Sequence, residues 1–319
     1  MIKKILVPVD GSARTTSALA VAHALQTATG ADMTTIHVDL ERHHRPVELE
    51  QDTEDFSFNG FDTGLAPVGF HIQDVIGHTD VPSGIVQEAI TQEADIIVMG
   101  THGRSGLGRI LLGSVATDVL ALSPIPVLLV REGEELVRTV KTLLVPIDGT
   151  PGGSQALSLA LQLAHAASAK IVLLDVAVPQ HVFVADTYTG VGMAGAFDPE
   201  WDQVALKAAG LYVDQMAEAV REQGVVAEGR AVLGEVASSI VTTADKVHAD
   251  LIVMSTHALT GPVRALLGSV ADAVARTAHH PLLLVKRRET TVREDVGAGL
   301  NVPHRVATTV APGVPAGIA

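Results

Sequence analysis

The chain predicts an α/β protein made of two tandem, doubly wound parallel-sheet domains. Three observations carry this expectation. Two sequence blocks recur, short apolar runs alternate with helical patterns, and the composition is aliphatic rather than aromatic. Hydrophobic residues make up 47% of the 319 residues but aromatics only 3%. That balance suits β-branched parallel strands packed beneath Ala- and Leu-rich helices. At this length two domains, each with its own core, are the expected number.

The first recurring block is Lys3-Lys4-Ile5-Leu6-Val7-Pro8-Val9-Asp10-Gly11-Ser12, which recurs as Val140-Lys141-Thr142-Leu143-Leu144-Val145-Pro146-Ile147-Asp148-Gly149-Thr150. The second is Ala94-Asp95-Ile96-Ile97-Val98-Met99-Gly100-Thr101-His102, matched by Ala249-Asp250-Leu251-Ile252-Val253-Met254-Ser255-Thr256-His257. The polar stretch Glu132-Gly133-Glu134-Glu135 reads as a short linker. The division is therefore residues 1–135, residues 136–288 and a tail, 289–319. The tail mixes charge with Gly, Pro, Ala and Val, shows no periodicity and reads as disordered.

In order along half one, strands are expected near 3–9, 33–38, 68–76, 95–100 and 126–130, with helices near 13–29, 82–94 and 113–122. Half two repeats the pattern, with strands near 141–147, 170–176, 225–233, 250–255 and 281–285 and helices near 152–168, 199–223, 235–248 and 268–278. Pro199 and Gly224 supply start and stop signals for the long helix near 199–223. Half one has no such helix; residues 40–67 are rich in Glu and Asp, carry Phe56, Phe58 and Phe61, and read as a long excursion. The apolar fifth strands, Pro126-Val127-Leu128-Leu129-Val130 and Pro281-Leu282-Leu283-Leu284-Val285, look like sheet edges in need of cover.

Bulk properties exclude several functions. No apolar stretch reaches the roughly 20 residues needed to cross a bilayer, and the first residues lack a signal-peptide pattern. A soluble, cytoplasmic protein without a membrane partner is expected. With no cysteine, disulfides, thiol chemistry and thiolate metal sites are ruled out. A formal charge of −14 argues against nucleic-acid binding, although backbone amides can still make a local anion site. The pairs His43-His44 and His279-His280 have no accompanying ligands at metal-binding spacing.

Between the fourth strand and the next helix runs Gly100-Thr101-His102-Gly103-Arg104-Ser105-Gly106-Leu107-Gly108-Arg109-Ile110-Leu111-Leu112-Gly113-Ser114. A strand, a glycine-rich loop and a helix start make an anion site. Gly100 and Gly103 let backbone approach phosphate oxygens, while Gly113 and Ser114 offer helix N-terminal amides and a hydroxyl. The loop fits neither the Walker pattern, which needs a lysine, nor the dinucleotide fingerprint, because its glycines run Gly103-x-x-Gly106-x-Gly108.

The spacing it meets is Gly-x2-Gly-x9-Gly-Ser/Thr, through Gly100, Gly103, Gly113 and Ser114. Together with the strand Ile5–Asp10 this resembles the universal stress protein family, over roughly residues 1–131 and 140–287. The resemblance implies adenine nucleotide alpha hydrolase-like, Rossmann-like sheets of five parallel strands in the order 3-2-1-4-5, binding ATP at the strand ends with magnesium as the nucleotide's counterion. Asp10, beside Val9, would meet the ribose or triphosphate, and Val38 would present backbone to adenine. Gly100, Gly103, Arg104, Gly113, Ser114 and Val115 would surround the phosphates. In half two Asp148, Val176, Gly268 and Ser269 correspond, but Ser255 and Ala258 stand where the first two glycines belong. Half two is therefore the degenerate site.

Plainer readings stand beside these. Gly106 and Gly108 read as ordinary turns. Asp10 faces a ligand or caps the helix beginning near Ala13, with Ser12 the better-placed cap. Arg109 and Arg264 read as touching phosphate or an adjoining domain, or as solvated loop arginines, and His102 and His257 read as structural. The function expected is an ATP-binding stress-response regulator whose occupancy biases an unidentified protein partner or homodimer assembly, with at most slow hydrolysis. The alternatives are a nucleotide-using enzyme and a nucleotide-free dimerising protein. The family's fifth strands pair between domains, which the fusion would satisfy within one chain.

Overall fold

The computed structural model describes residues 1–10, 12–40, 72–76, 78–101, 112–132, 139–150, 153–179, 181–182, 196–197, 199–256 and 268–287. The expected excursion, the tail, and Gly103, Arg104, Gly106, Gly108, Arg109, Arg264, His43, His44, His102, His257 and Ala258 lie outside them (residue 40 alone of the excursion is described).

Half one contributes β1 (Lys4–Pro8), α1 (Ala13–Thr29), β2 (Asp32–Val38), β3 (Ile72–Val75), α2 (Val81–Thr91), β4 (Ile96–Thr101), α3 (Ser114–Leu122) and β5 (Val127–Arg131). Half two contributes β6 (Thr142–Pro146), α4 (Gly153–Ala167), β7 (Lys170–Ala177), β8 (His181–Val182), β9 (Ala196–Phe197), α5 (Pro199–Glu222), β10 (Ala227–Leu233), α6 (Val236–Val247), β11 (Leu251–Thr256), α7 (Ser269–Thr277) and β12 (Leu282–Lys286). The antiparallel pair β8–β9, with two residues in each strand, has no sequence signal of its own.

The expected helix near 82–94 instead ends at Thr91. Glu93 adopts a left-handed φ of 56°, and the amides of Glu93 and Ala94 turn back onto the carbonyls of Ile90 and Ala89. This is a helix stop normally signalled by glycine. Here it occurs without one, so the sequence carried no mark of it.

Ten strands form one sheet in the order β10-β7-β6-β11-β12-β5-β4-β1-β2-β3. Within each half the order is third, second, first, fourth, fifth, and all pairings are parallel. The halves join where β5 and β12 pair antiparallel, Leu129 opposite Leu282 and Leu128 opposite Leu283. The two apolar edges foreseen in the sequence thus cover each other.

Alternation along the strands feeds two cores. Ile5, Val7, Leu143 and Val145 point into one layer with α1, α4 and α5, whereas Leu6 and Leu144 point into the other with α2, α3, α6 and α7. Both layers run across the junction, so burial of apolar area resists separation of the halves. In half two, α5 lies so close on β10 that a Cβ at Gly229 would fall 2.7 Å from the Val213 backbone.

Two cations bridge the junction reciprocally. Lys286, ending β12, donates from Nζ to the Ala121 and Ser123 carbonyls at 2.7 and 3.3 Å, capping the far end of α3. Arg131, ending β5 and only 8% exposed, donates from Nη2 to the Arg276 and Ala275 carbonyls at 3.1 and 3.4 Å, at the end of α7. Cations at helix C-termini satisfy orphan carbonyls and meet the negative end of the helix dipole.

Candidate functional site

In each half the strand order reverses between the first and fourth strands, and open α/β sheets have a crevice at that point beyond the carboxyl ends of their strands. The half-one crevice is a cavity of about 290 Å³. Val9, Asp10, Val38, Gly100, Gly113, Ser114 and Val115 all line it. Sequence reasoning did not single out the apolar wall formed by Val81, Ile85, Met99 and Leu112, or His37, whose Nδ1 lies 3.0 Å from the Val9 carbonyl oxygen. The wall's apolar character was visible, but nothing local said which cavity it would face.

Gly113 has φ 84° and ψ 143°, a conformation closed to side-chain-bearing residues, and turns the chain into α3. The first helical bond runs from the Thr117 amide to the Gly113 carbonyl at 3.1 Å. The amides of Ser114, Val115 and Ala116 therefore have no intrahelical acceptor, and among the described residues no N-cap side chain serves them, since the N-cap is Gly113. By contrast, the Asp80 carboxylate caps α2 through the Ser83 amide at 2.8 Å, and Glu235 caps α6. The Ser83 amide and hydroxyl hold the Asp80 carboxyl below its ordinary range. Of these three helices, α3 alone presents bare donors, and it presents them to the cavity.

Asp10 organises the turn leading into α1. Its Oδ1 accepts from the Ser12 amide at 3.0 Å, the Ser12 hydroxyl at 2.6 Å and the Thr15 hydroxyl at 3.0 Å. Ser12 makes no side-chain cap bond, contrary to expectation, because its hydroxyl is committed to Asp10.

The half-two crevice is a cavity of about 380 Å³, lined by Asp148, Val176, Gly268 and Ser269 and also by Asp175, Ser255 and Arg287. Gly268 repeats the Gly113 conformation, at φ 77° and ψ 140°, and α7 likewise starts without a side-chain cap. Asp148 Oδ1 accepts from the Thr150 amide at 3.0 Å and hydroxyl at 2.6 Å, the same turn as in half one. Its Oδ2 accepts from Arg287 Nη2 at 2.6 Å, while Arg287 Nε donates to Ser255 Oγ at 3.2 Å. Burial works to raise the Asp148 carboxyl, but the hydrogen bonds from Thr150 and Arg287, with the guanidinium charge, hold it below the ordinary carboxylate range.

Sequence reasoning missed Arg287, although the repeat contained the signal. Val130-Arg131-Glu132 aligns with Val285-Lys286-Arg287, and the amides of Glu132 and Arg287 donate to equivalent carbonyls, of Thr101 and Thr256. Where half one has a carboxylate, half two has a guanidinium. His37 of half one is likewise matched by Asp175, which is 2% exposed.

Both crevices combine an apolar wall with backbone donors at a helix start, a combination suited to an anion carrying a flat apolar group. Among the described residues no group of three His, Asp or Glu side chains is placed to hold a metal ion alone. A magnesium ion carried by a nucleotide would need only one or two carboxylates from a protein, and Asp10 is a carboxylate that lines the half-one cavity. No helix among the described residues is long and apolar enough to cross a membrane.

Comparison with known proteins places these features. A universal stress protein of Methanocaldococcus jannaschii is 34% identical over 165 residues, covering 50% of this chain and 88% of its own. One from Mycolicibacterium smegmatis is 27% identical over 222 residues, covering 69% of this chain and 70% of its own. The crystal structure of a universal stress protein from Archaeoglobus fulgidus matches 89% of this chain and 98% of its own with a TM-score of 0.60 and 18% identity, a likeness of fold. The profile of the Universal stress protein family matches residues 1–131 and 139–286, and with both repeats so matched the chain belongs to the universal stress protein family.

Proposed function

We propose that the protein is an ATP-binding regulator of the stress response, built from repeats at 1–135 and 136–288, in which the half-one cavity holds the nucleotide. The observation that carries this reading is the start of α3, where Gly113 turns three uncapped amides toward a cavity with an apolar wall. In this assignment Val38 and the wall of Val81 and Ile85 receive adenine, and Val9 and Asp10 lie beside the ribose and triphosphate. Gly100, Gly103, Arg104, Gly113, Ser114 and Val115 surround the phosphates. Magnesium enters as the nucleotide's counterion, with Asp10 the carboxylate nearest to hand.

The reading is of a sensor working in the cytoplasm, not of a fast enzyme. The donors at the start of α3 are backbone amides, which stabilise charge but move no proton, while Asp10 Oδ1 is committed to Ser12 and Thr15 and His37 Nδ1 to the Val9 carbonyl. Nucleotide occupancy then acts by favouring one conformation over another, biasing a homodimer or a partner protein.

Calorimetry with ATP and magnesium on the full chain tests the assignment. Ser114→Asp places a carboxylate at the first position of α3, where the helix dipole welcomes it and the fold is kept, but where it repels phosphate. Binding at sub-millimolar concentration, weakened about tenfold or more by Ser114→Asp, is the expected result, since one lost charge-assisted contact is worth about that factor. No binding by the unmodified chain sinks the reading, and many turnovers per second would replace the sensor by an enzyme.

A further inference from the structure

Arg287 lines the half-two cavity, whereas its half-one equivalent, Glu132, is exposed, and Asp175 stands where half one has His37. Arg287 is placed, not merely nearby. Its side chain is 15% exposed and is held by Asp148 Oδ2 at 2.6 Å and by Ser255 Oγ at 3.2 Å. Ser255 occupies the position of the first loop glycine, so the hydroxyl that makes half two depart from the family pattern is the one that orients the guanidinium. Arg287 does not fill the cavity, which at about 380 Å³ is larger than its counterpart at about 290 Å³.

This geometry changes which counter-charge the site can use. A divalent cation would have to compete with Arg287 for the Asp148 carboxylate, whose Oδ2 accepts from the guanidinium and whose Oδ1 accepts from the Thr150 amide and hydroxyl. A second cation beside the guanidinium would also be repelled. A guanidinium, in turn, is itself a phosphate ligand, with five donors in a rigid fork. Asp175, buried in the wall formed by β7, is the carboxylate opposing it, and the uncapped start of α7 at Ser269 adds donors.

We infer that the half-two cavity is a second, divalent-cation-independent site for a phosphate-bearing anion, with Arg287 supplying the positive charge that a metal ion would otherwise bring. The inference takes the class of ligand from the nucleotide reading of half one, and the site itself from the Arg287, Asp148 and Ser255 cluster. Half two is then not a failed copy. It is a copy whose counter-charge is built into the chain, and it samples phosphate ligands whatever the free magnesium level.

The experiment uses the full chain carrying Ser114→Asp, so that half one is closed and half two is read by itself. Calorimetry with ATP, and separately with inorganic phosphate, is run in excess EDTA and in excess magnesium. At least one probe is expected to bind at one equivalent per chain, with affinities differing less than about threefold between the two conditions. Arg287→Ala should weaken that binding about tenfold or more, with Arg287→Lys intermediate, because a fixed charged donor is lost. Phosphate binding alone identifies a small anion, and ATP binding alone a nucleotide.

The inference is overturned by binding that requires magnesium, by binding unchanged in Arg287→Ala, or by no binding of either probe to a chain with unaltered circular dichroism. A gain of magnesium-dependent ATP binding in Arg287→Ala also overturns it, by showing that the arginine closes the site. Failure of the half-one reading is seen separately, in the complementary Ser269→Asp chain with Ser114 intact.

Discussion

Replacing Lys286 by Met removes a charge but keeps an apolar stem of similar length, so the loss isolates what the ammonium does for the junction. Lys286 Nζ reaches the Ala121 carbonyl at 2.7 Å and the Ser123 carbonyl at 3.3 Å, both at the C-terminal end of α3 in the other half. A charged hydrogen bond contributes about 1.5–3 kcal/mol. A cation at a helix C-terminus adds roughly 0.3–1 kcal/mol. Against these stands desolvation, which pushes the Lys286 ammonium below its ordinary range. A net loss of about 2 kcal/mol is expected for Lys286→Met, and a similar loss for Arg131→Met, which uncaps α7. The two ends lie far apart along the β5–β12 pair, so the double variant should lose the sum to within about 0.5 kcal/mol. Urea unfolding of the full chain, followed by far-UV circular dichroism, measures each. Arg276→Met, which removes only an exposed pair with Asp272 on one helix, is the control and should cost about 0.5 kcal/mol or less. If Lys286→Met and Arg131→Met cost no more than that control, the cations do not brace the junction.

Three further outcomes follow from the same structure. Gly229→Ala sets a methyl 2.7 Å from the Val213 backbone, so α5 must move off β10; a loss of about 2 kcal/mol is expected in the same assay. Gly113→Ala asks a side-chain-bearing residue to hold φ 84°, at a cost of about 1–3 kcal/mol. It should lower the melting temperature and weaken ATP binding together, and an unchanged melting temperature would show that the turn relaxes freely. Burial pushes the His280 imidazole below its ordinary pKa, and its Nδ1 is buried 3.7 Å from Asp245 without a hydrogen bond. A depressed folded pKa means that the unfolded chain takes up the proton first. This contribution to stability is complete above about pH 6.5 and is lost as pH falls below it. His280→Leu should flatten that part of the urea-midpoint profile, and an unaltered slope would assign it to other groups.

Much of the site was legible because its positions follow local rules. Gly113 and Gly268 precede helices at a fixed distance from a strand, and each adopts the left-handed φ that glycine permits. Asp10 and Asp148 follow the first strands directly, and the described members of the expected set line the two cavities. Ser12 was misjudged because a cap preference says which residue can cap, not which neighbour will claim its hydroxyl first. The early stop of α2 at Thr91 was hidden because Glu93 adopts a glycine-like conformation that local preference disfavours.

Taken by itself, the sequence determined what depends on neighbours along the chain. It set the period-two alternation that sends Ile5 and Val7 one way and Leu6 the other, the repeat that doubles the fold, and the glycines that turn strands into helices. Only the tertiary structure decided what depends on residues distant in sequence. It joined β5 to β12 as an antiparallel seam and sent Lys286 and Arg131 across it to opposite helices. It also brought Arg287 onto Asp148, a residue 139 positions away, through the approach of strand ends that no local pattern encodes. Burial and charge pairing act through space, so their outcome is read where the chain has folded.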